Sequence, residues 1–125
     1  MRYLLDSAFA IDYLRDDRGA IERFDRLFAA GDAVFVNEIV VCEVATGMRG
    51  DDPAAAAFLQ ALEFVQPGPE TALLAGRWRA DARSRGFALS LPDAVIAAAA
   101  DSLGAILLSR NVRAFALTPV TVEPY

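Results

Sequence analysis

Two kinds of hydrophobic run alternate along this chain. One kind is short and unbroken: Arg2 to Leu5, Ala33 to Val36, Phe64-Val65, Ala105 to Leu108 and Val120 to Val122. Such runs, bounded by polar or turn residues, read as buried strands. The other kind has helical spacing. A helix is expected from Ser7 to about Leu14, and another over 20–28, where Ile21, Phe24, Leu27 and Phe28 share a face before Gly31 stops it. Asn37 is placed to cap a helix running to about Met48, and Asp51-Asp52-Pro53 to cap one with Phe58, Leu59 and Leu62 inward. Two more helices are expected, from Glu70 to Arg85 after the Pro67-Gly68-Pro69 break, and from Leu91 to Leu103.

Short apolar strands alternating with helices imply an α/β fold, with a central parallel sheet of about five strands flanked by helices on both faces. No repeat, linker or low-complexity tract interrupts the pattern, so residues 1–125 read as one domain. In open α/β sheets ligands bind beyond the carboxyl ends of the strands, and three acids fall there. Asp6 ends the first strand. Glu43 stands within Val40-Val41-Cys42-Glu43-Val44-Ala45, and Asp93 opens the apolar stretch Ala94 to Ala100. Each interrupts what reads as a buried context, where a lone carboxylate costs several kcal/mol unless it is paired or binds metal.

The individual acids have plainer readings too. Asp6 suits the cap of the first helix, and Asp93 lies three residues after Ser90, the spacing of a capping box. Glu43 has no such alternative. Together, three acids converging on one sheet edge favour a metal site, and all-oxygen ligands select Mg2+ or Mn2+. A cation so held would polarise a phosphodiester and activate water.

Composition narrows the chemistry. The chain is 55% hydrophobic, which suits a packed domain. It has no histidine, which argues against zinc, and a single Cys42, which excludes an internal disulfide and reads as core packing. No apolar run is long enough to span a membrane, and an acid at position 6 is too early for a signal peptide, so a cytoplasmic protein without membrane association is expected. Net charge is −5, which does not favour a nucleic acid at long range, yet every basic residue is arginine, able to grip phosphate bidentately. Arg110 and Arg113, beside the fourth strand's end, are the candidates for substrate phosphate. Arg77, Arg79, Arg83 and Arg85 share one helix and read as a solvated face, Asp12 as a surface or partner contact, and Asp101 as solvated. Phe24, Phe28, Phe58, Leu59 and Trp78 read as core or protein contact surface.

Four blocks carry a resemblance: Leu4-Leu5-Asp6-Ser7 with Ile11-Asp12-Tyr13-Leu14-Arg15; Asn37-Glu38-Ile39-Val40 with Glu43; Leu91 to Ala97; and Leu107 to Phe115. In order and spacing they resemble the PIN-domain family, and within it the VapC toxins of toxin–antitoxin pairs. The resemblance implies a PIN fold and a Mg2+- or Mn2+-dependent endoribonuclease acting on RNA, inhibited by a cognate antitoxin and forming a homodimer. The family's first three acids correspond to Asp6, Glu43 and Asp93. The fourth, two residues beyond a Ser or Thr, is replaced by Asn111, and a neighbouring position often acidic is Ala114. Ala8 stands where Asn or Ser is common, while Ser7 and Ser109 keep hydroxyls near the site. One carboxylate fewer implies one tightly held cation. The neutral Asn111 also motivates an alternative, a catalytically inert PIN scaffold that binds protein or RNA. A phosphoacceptor receiver domain is set aside, since its site needs a lysine and this chain has none.

Overall fold

The computed structural model describes residues 1–48 and 50–125. The chain runs β1 (Arg2–Leu5), α1 (Ser7–Leu14), α2 (Arg18–Ala29), β2 (Ala33–Asn37), α3 (Glu38–Thr46), α4 (Pro53–Gln60), β3 (Glu63–Val65), α5 (Pro69–Ser84), α6 (Leu91–Leu103), β4 (Ile106–Leu108), α7 (Val112–Phe115) and β5 (Val122–Glu123). The strands form one five-stranded sheet in the order β3-β2-β1-β4-β5, and every pairing is parallel.

Side chains of successive strand residues point to opposite faces. Leu4 and Leu5 of β1, and Leu107 and Leu108 of β4, are all fully buried, so helices cover both faces of the sheet. Burying each such leucine contributes roughly 1.5–3 kcal/mol. The register sets Leu4 between Phe35 and Leu107, and Leu5 beside Leu108.

Helix ends follow local chemistry. The side chains of Asp6, Asp17, Asn37, Asp52 and Ser90 each accept a backbone N–H of the helix they precede. Pro53 and Pro92 sit in first turns, where the missing N–H removes no helical bond. Gly104 ends α6 at φ 60°, a left-handed conformation that costs glycine nothing. Within α6, Ala94 and the run Ala97 to Ala100 are fully buried. Ala75 and Ala82 of α5 pack against Ala94 and Ala98, with Leu89 closing the contact. Small side chains on both helices bring the two backbones close together.

The expected elements stand, with four adjustments. The fifth strand is Val122–Glu123 rather than Val120 to Val122, because pairing with Leu107 and Leu108 decides its bounds. A single turn, α7, follows β4 unannounced. Helix α3 ends at Thr46, short of Met48. Cys42, expected in the core, is exposed, because α3 buries only the face that carries Val40 and Val44.

Candidate active site

The sheet order reverses between β1 and β4: the chain builds outward from β1 through β2 to β3, then returns to β1's other side. That reversal opens a crevice at the strands' carboxyl ends. Asp6 follows β1 and Ser109 follows β4 at this point. The Asp6 N–H donates to the Leu108 carbonyl at 3.3 Å, which aligns the two strand ends.

Asp6 is 4% exposed. One carboxylate oxygen, Oδ1, accepts the Phe9 N–H at 2.7 Å, so Asp6 does cap α1. The other, Oδ2, accepts the hydroxyl of the fully buried Ser109. Ser109 Oγ in turn accepts the Asn111 N–H at 2.9 Å, which fixes the turn into α7. Burial pushes the Asp6 carboxyl up to about 6 from an ordinary 3.8. The Ser109 and Phe9 donors pull it down, and the charges of Asp93 and Asp12 raise it further. A carboxylate has about four acceptor sites, so two donors leave Asp6 able to take a further partner.

Asp93 lies in the first turn of α6. Its N–H donates to Ser90 Oγ at 3.2 Å, which is half of the capping box its spacing suggested. Among the described residues no donor engages the Asp93 carboxylate itself. Glu43 is exposed, contrary to the buried setting that its apolar neighbours implied. The reason is the one that exposes Cys42: a helix apolar almost all round does not declare which face is inward. Glu43 nonetheless points toward Asp6's neighbour, with its Oε1 accepting the Ser7 hydroxyl at 2.9 Å.

Asp6 and Asp93 are coupled through their charges, and Glu43 is joined through Ser7. Among the described residues no group of three or more acid, cysteine or histidine side chains stands close enough together to hold a metal ion as built. No described arginine or amino terminus pairs with Asp6, Glu43 or Asp93. A buried carboxylate raised to about 6, with a second carboxylate beside it and hydroxyls in place of counter-ions, fits a hard divalent cation. Asn111 is exposed at the mouth of this region and offers a neutral carbonyl oxygen.

The arginines behave differently from one another. Arg110 is committed within the chain. Its Nη2 lies 3.0 Å from Asp17 and its Nη1 3.6 Å from Asp12. Its Nε donates to the Tyr125 carbonyl at 3.0 Å, and its guanidinium lies 4.3 Å from the Tyr125 ring centroid. The Tyr125 hydroxyl donates to Asp12 at 2.6 Å. Contact with substrate phosphate would require Arg110 to leave some of these partners. Arg113 is exposed and has no acid partner among the described residues. Arg79, expected on a solvated face, is half-buried and donates through Nε to the Leu89 carbonyl. The Arg110–Asp12–Asp17–Tyr125 network escaped sequence reasoning because its members lie far apart in the chain.

The PIN domain family model matches residues 3–119. The chain is 32% identical over 123 residues to Ribonuclease VapC19 of Mycobacterium tuberculosis, covering 98% of both. Its structure resembles VapBC2 from Rickettsia felis bound to a promoter DNA fragment, with TM-score 0.84, 20% identity and coverage of 100% and 99%. It also resembles a toxin–antitoxin complex from Klebsiella pneumoniae, with TM-score 0.81, 26% identity and coverage of 98% of each chain. The parallel sheet, the acids at its switch point and these similarities agree: the chain belongs to the PIN domain family, in the branch that holds the VapC ribonucleases.

Proposed function

We propose that this protein is the toxin of a toxin–antitoxin pair, an endoribonuclease that hydrolyses RNA phosphodiesters with one Mg2+ or Mn2+ held by Asp6, Glu43 and Asp93. The observation that carries the reading is the cluster itself: carboxylates at the switch point of the sheet, one of them buried, with no cation supplied by the described chain. The likeness to a VapC ribonuclease along nearly the whole of both chains supports it.

When bound, the cation supplies positive charge to the scissile phosphate and acidity to the attacking water. The chain's own residues do the rest. Phe9 N–H and Ser109 Oγ fix both oxygens of Asp6, so the carboxylate is oriented before any ligand arrives. Ser7 does the same for Glu43. Asp93, whose carboxylate is engaged by no described donor, would be the group to take up the water's proton. Asn111, neutral at the family's fourth acidic position, holds water or substrate by hydrogen bonds.

Partners follow from surfaces. A hollow of about 430 Å³ between α1, α2 and α4 is lined by Tyr13, Leu14, Ile21, Phe24, Phe58 and neighbouring alanines, with Asp16 as its one acid. An apolar segment of the antitoxin fits it, as helix-in-groove partners do. The toxin itself works as a homodimer. No described helix is long and apolar enough to cross a membrane, and the proposed site of action is the cytoplasm, where RNA is the substrate. The decisive measurement is cleavage of single-stranded RNA by the purified chain with Mg2+ and with EDTA. Loss of cleavage in EDTA supports the reading; cleavage unchanged in EDTA, or by Asp6→Asn, ends it.

A further inference from the structure

Helix α5 ends in a tightly tied turn. The Gly86 N–H donates to Arg83 O at 3.0 Å and the Phe87 N–H to Ala82 O at 2.9 Å, with Gly86 at φ 84°. This is the Schellman pattern, in which the residue after the glycine ordinarily packs its apolar side chain back on the helix. Here Phe87 remains 56% exposed. The turn fixes the Phe87 backbone, and so where its ring emerges, while the ring itself stays largely in solvent.

Beside that ring lies a hollow of about 460 Å³, lined by Phe87, Ala88, Asn111, Arg113, Ala114 and Leu117. A smaller one, about 160 Å³, shares Phe87 and Ala88 and adds Arg79, Arg83 and Leu89. The two linings hold three arginines and no acid. In a chain of net charge −5 that is a local reversal of sign. Asn111, which lines the larger hollow, is tied to the acidic residues from beneath: its N–H donates to the buried Ser109 Oγ, whose hydroxyl donates to Asp6.

We propose that the hollow between Phe87 and α7 is a nucleobase subsite. It receives one unpaired base of the RNA next to the phosphodiester at Asp6, stacked on the Phe87 ring. Arg113 and Arg83 meet the flanking phosphates, and the Asn111 carboxamide faces the base edge. The subsite rests on the ribonuclease reading for its substrate, and it adds how strand and base are chosen. Single strands are recognised by aromatic stacking combined with basic side chains along the backbone. A duplex cannot offer a free base face, so the subsite selects unpaired RNA.

The test uses the full chain carrying Asp6→Asn, so that the probe is not cut, and short single-stranded RNAs of mixed sequence containing 2-aminopurine. Phe87→Ala is expected to weaken binding about ten-fold or more and to abolish the 2-aminopurine fluorescence change, with Phe87→Trp restoring both. Binding of a duplex of the same sequence should be unaffected by Phe87→Ala. Arg113→Ala should weaken binding and reduce the salt dependence by roughly one phosphate contact, a log–log slope change of about 0.7. Unchanged single-strand affinity and fluorescence in Phe87→Ala would overturn the subsite. So would a shift of Phe87→Ala from dimer to monomer in light scattering without loss of base stacking, which would assign the ring to contact between two copies. Parent cleavage is measured in parallel. If the parent cleaves RNA and Phe87 has no effect, only the subsite falls. If the parent does not cleave yet the probe stacks on Phe87, the subsite stands and the nuclease reading falls.

Discussion

Helix α1 joins two acidic clusters that are handled in opposite ways. On one side, Asp12 and Asp17 face Arg110 and the Tyr125 hydroxyl, so their counter-charge and donors come from the chain itself. On the other, Asp6 and Glu43 accept only from hydroxyls and a backbone amide, and no described donor engages the Asp93 carboxylate. The contrast shows in protonation. The Ala20 N–H and Arg110 hold the Asp17 carboxyl below the usual carboxylate range, whereas burial pushes Asp6 up to about 6. The same residue type is settled in one place and unsettled in the other. An acid whose counter-charge is built in is doing structural work; Asp6, buried with neutral donors and no described cation beside it, is the one we propose takes a cation from outside.

The strongest way to break this comparison is to remove an unsettled acid. Asp6→Asn or Asp93→Asn should lower RNA cleavage by more than about a hundred-fold, beyond the 10- to 100-fold typical of losing a residue that merely supports a ligand. Ser109→Ala, which deletes such a support, should fall within that smaller range. Initial-rate assays at saturating Mg2+ compare the three, and an Asp93→Asn variant with parental rates would remove that acid from the site.

Stability should move the other way. A carboxyl raised in the folded state binds more protons there than when unfolded, so its penalty is absent below pH 3.8, grows between 3.8 and about 6, and is complete above. Metal-free Asp6→Asn should therefore be more stable than the parent at pH 7, by on the order of 2–3 kcal/mol, while keeping the cap on Phe9. Thermal or urea unfolding in EDTA at pH 4 and pH 7 tests this: the gain should be largest at pH 7 and nearly vanish at pH 4. A loss of stability at pH 7 would mean that Asp6 is settled after all.

A divalent cation should remove the same penalty. Mn2+ at a hundred times its dissociation constant should stabilise the parent by about 2.7 kcal/mol, leave Asp6→Asn unmoved, and act more weakly below pH 6, where protons compete for the carboxylate. The smallest effect belongs to the settled cluster. Arg110→Ala frees exposed ion pairs and the Tyr125 contact, and should shift the melting temperature by only about 2 °C or less, with no change in Mn2+ affinity. A large loss of Mn2+ binding there would join the two clusters into one.

Much of this was legible in the chain because β1 and β4 are unbroken apolar runs with a polar residue immediately after each. Asp6 and Ser109 could be placed at strand ends from pattern alone. Of Asp6's two readings, the cap is what Oδ1 performs on Phe9, and Oδ2, on Ser109, is the oxygen the proposed site uses. Glu43 shows where the pattern runs out: in Val40 to Ala45 nearly every position is apolar, so helical periodicity carries no phase and the inward face is set by packing. The turn α7 is too short for any periodicity, and β5 owes its bounds to its neighbour. Arg110 looked free because Asp12, Asp17 and Tyr125 are distant in sequence and meet it only through the fold.

The alanine run in α6 has a mechanical consequence. Alanine has no side-chain torsion, so where α6 meets α5 through Ala94 and Ala98 there are few rotamers to exchange and little slack to absorb a shift. Asp93 is carried on the first turn of that helix. Its backbone can be repositioned chiefly by moving the helix as a rod, and a methyl group added at Ala98 would be transmitted along the axis instead of being dissipated locally. The position of Asp93 is thus coupled, through Leu89 and the Ser90 cap, to how closely the surfaces of α5 and α6 fit.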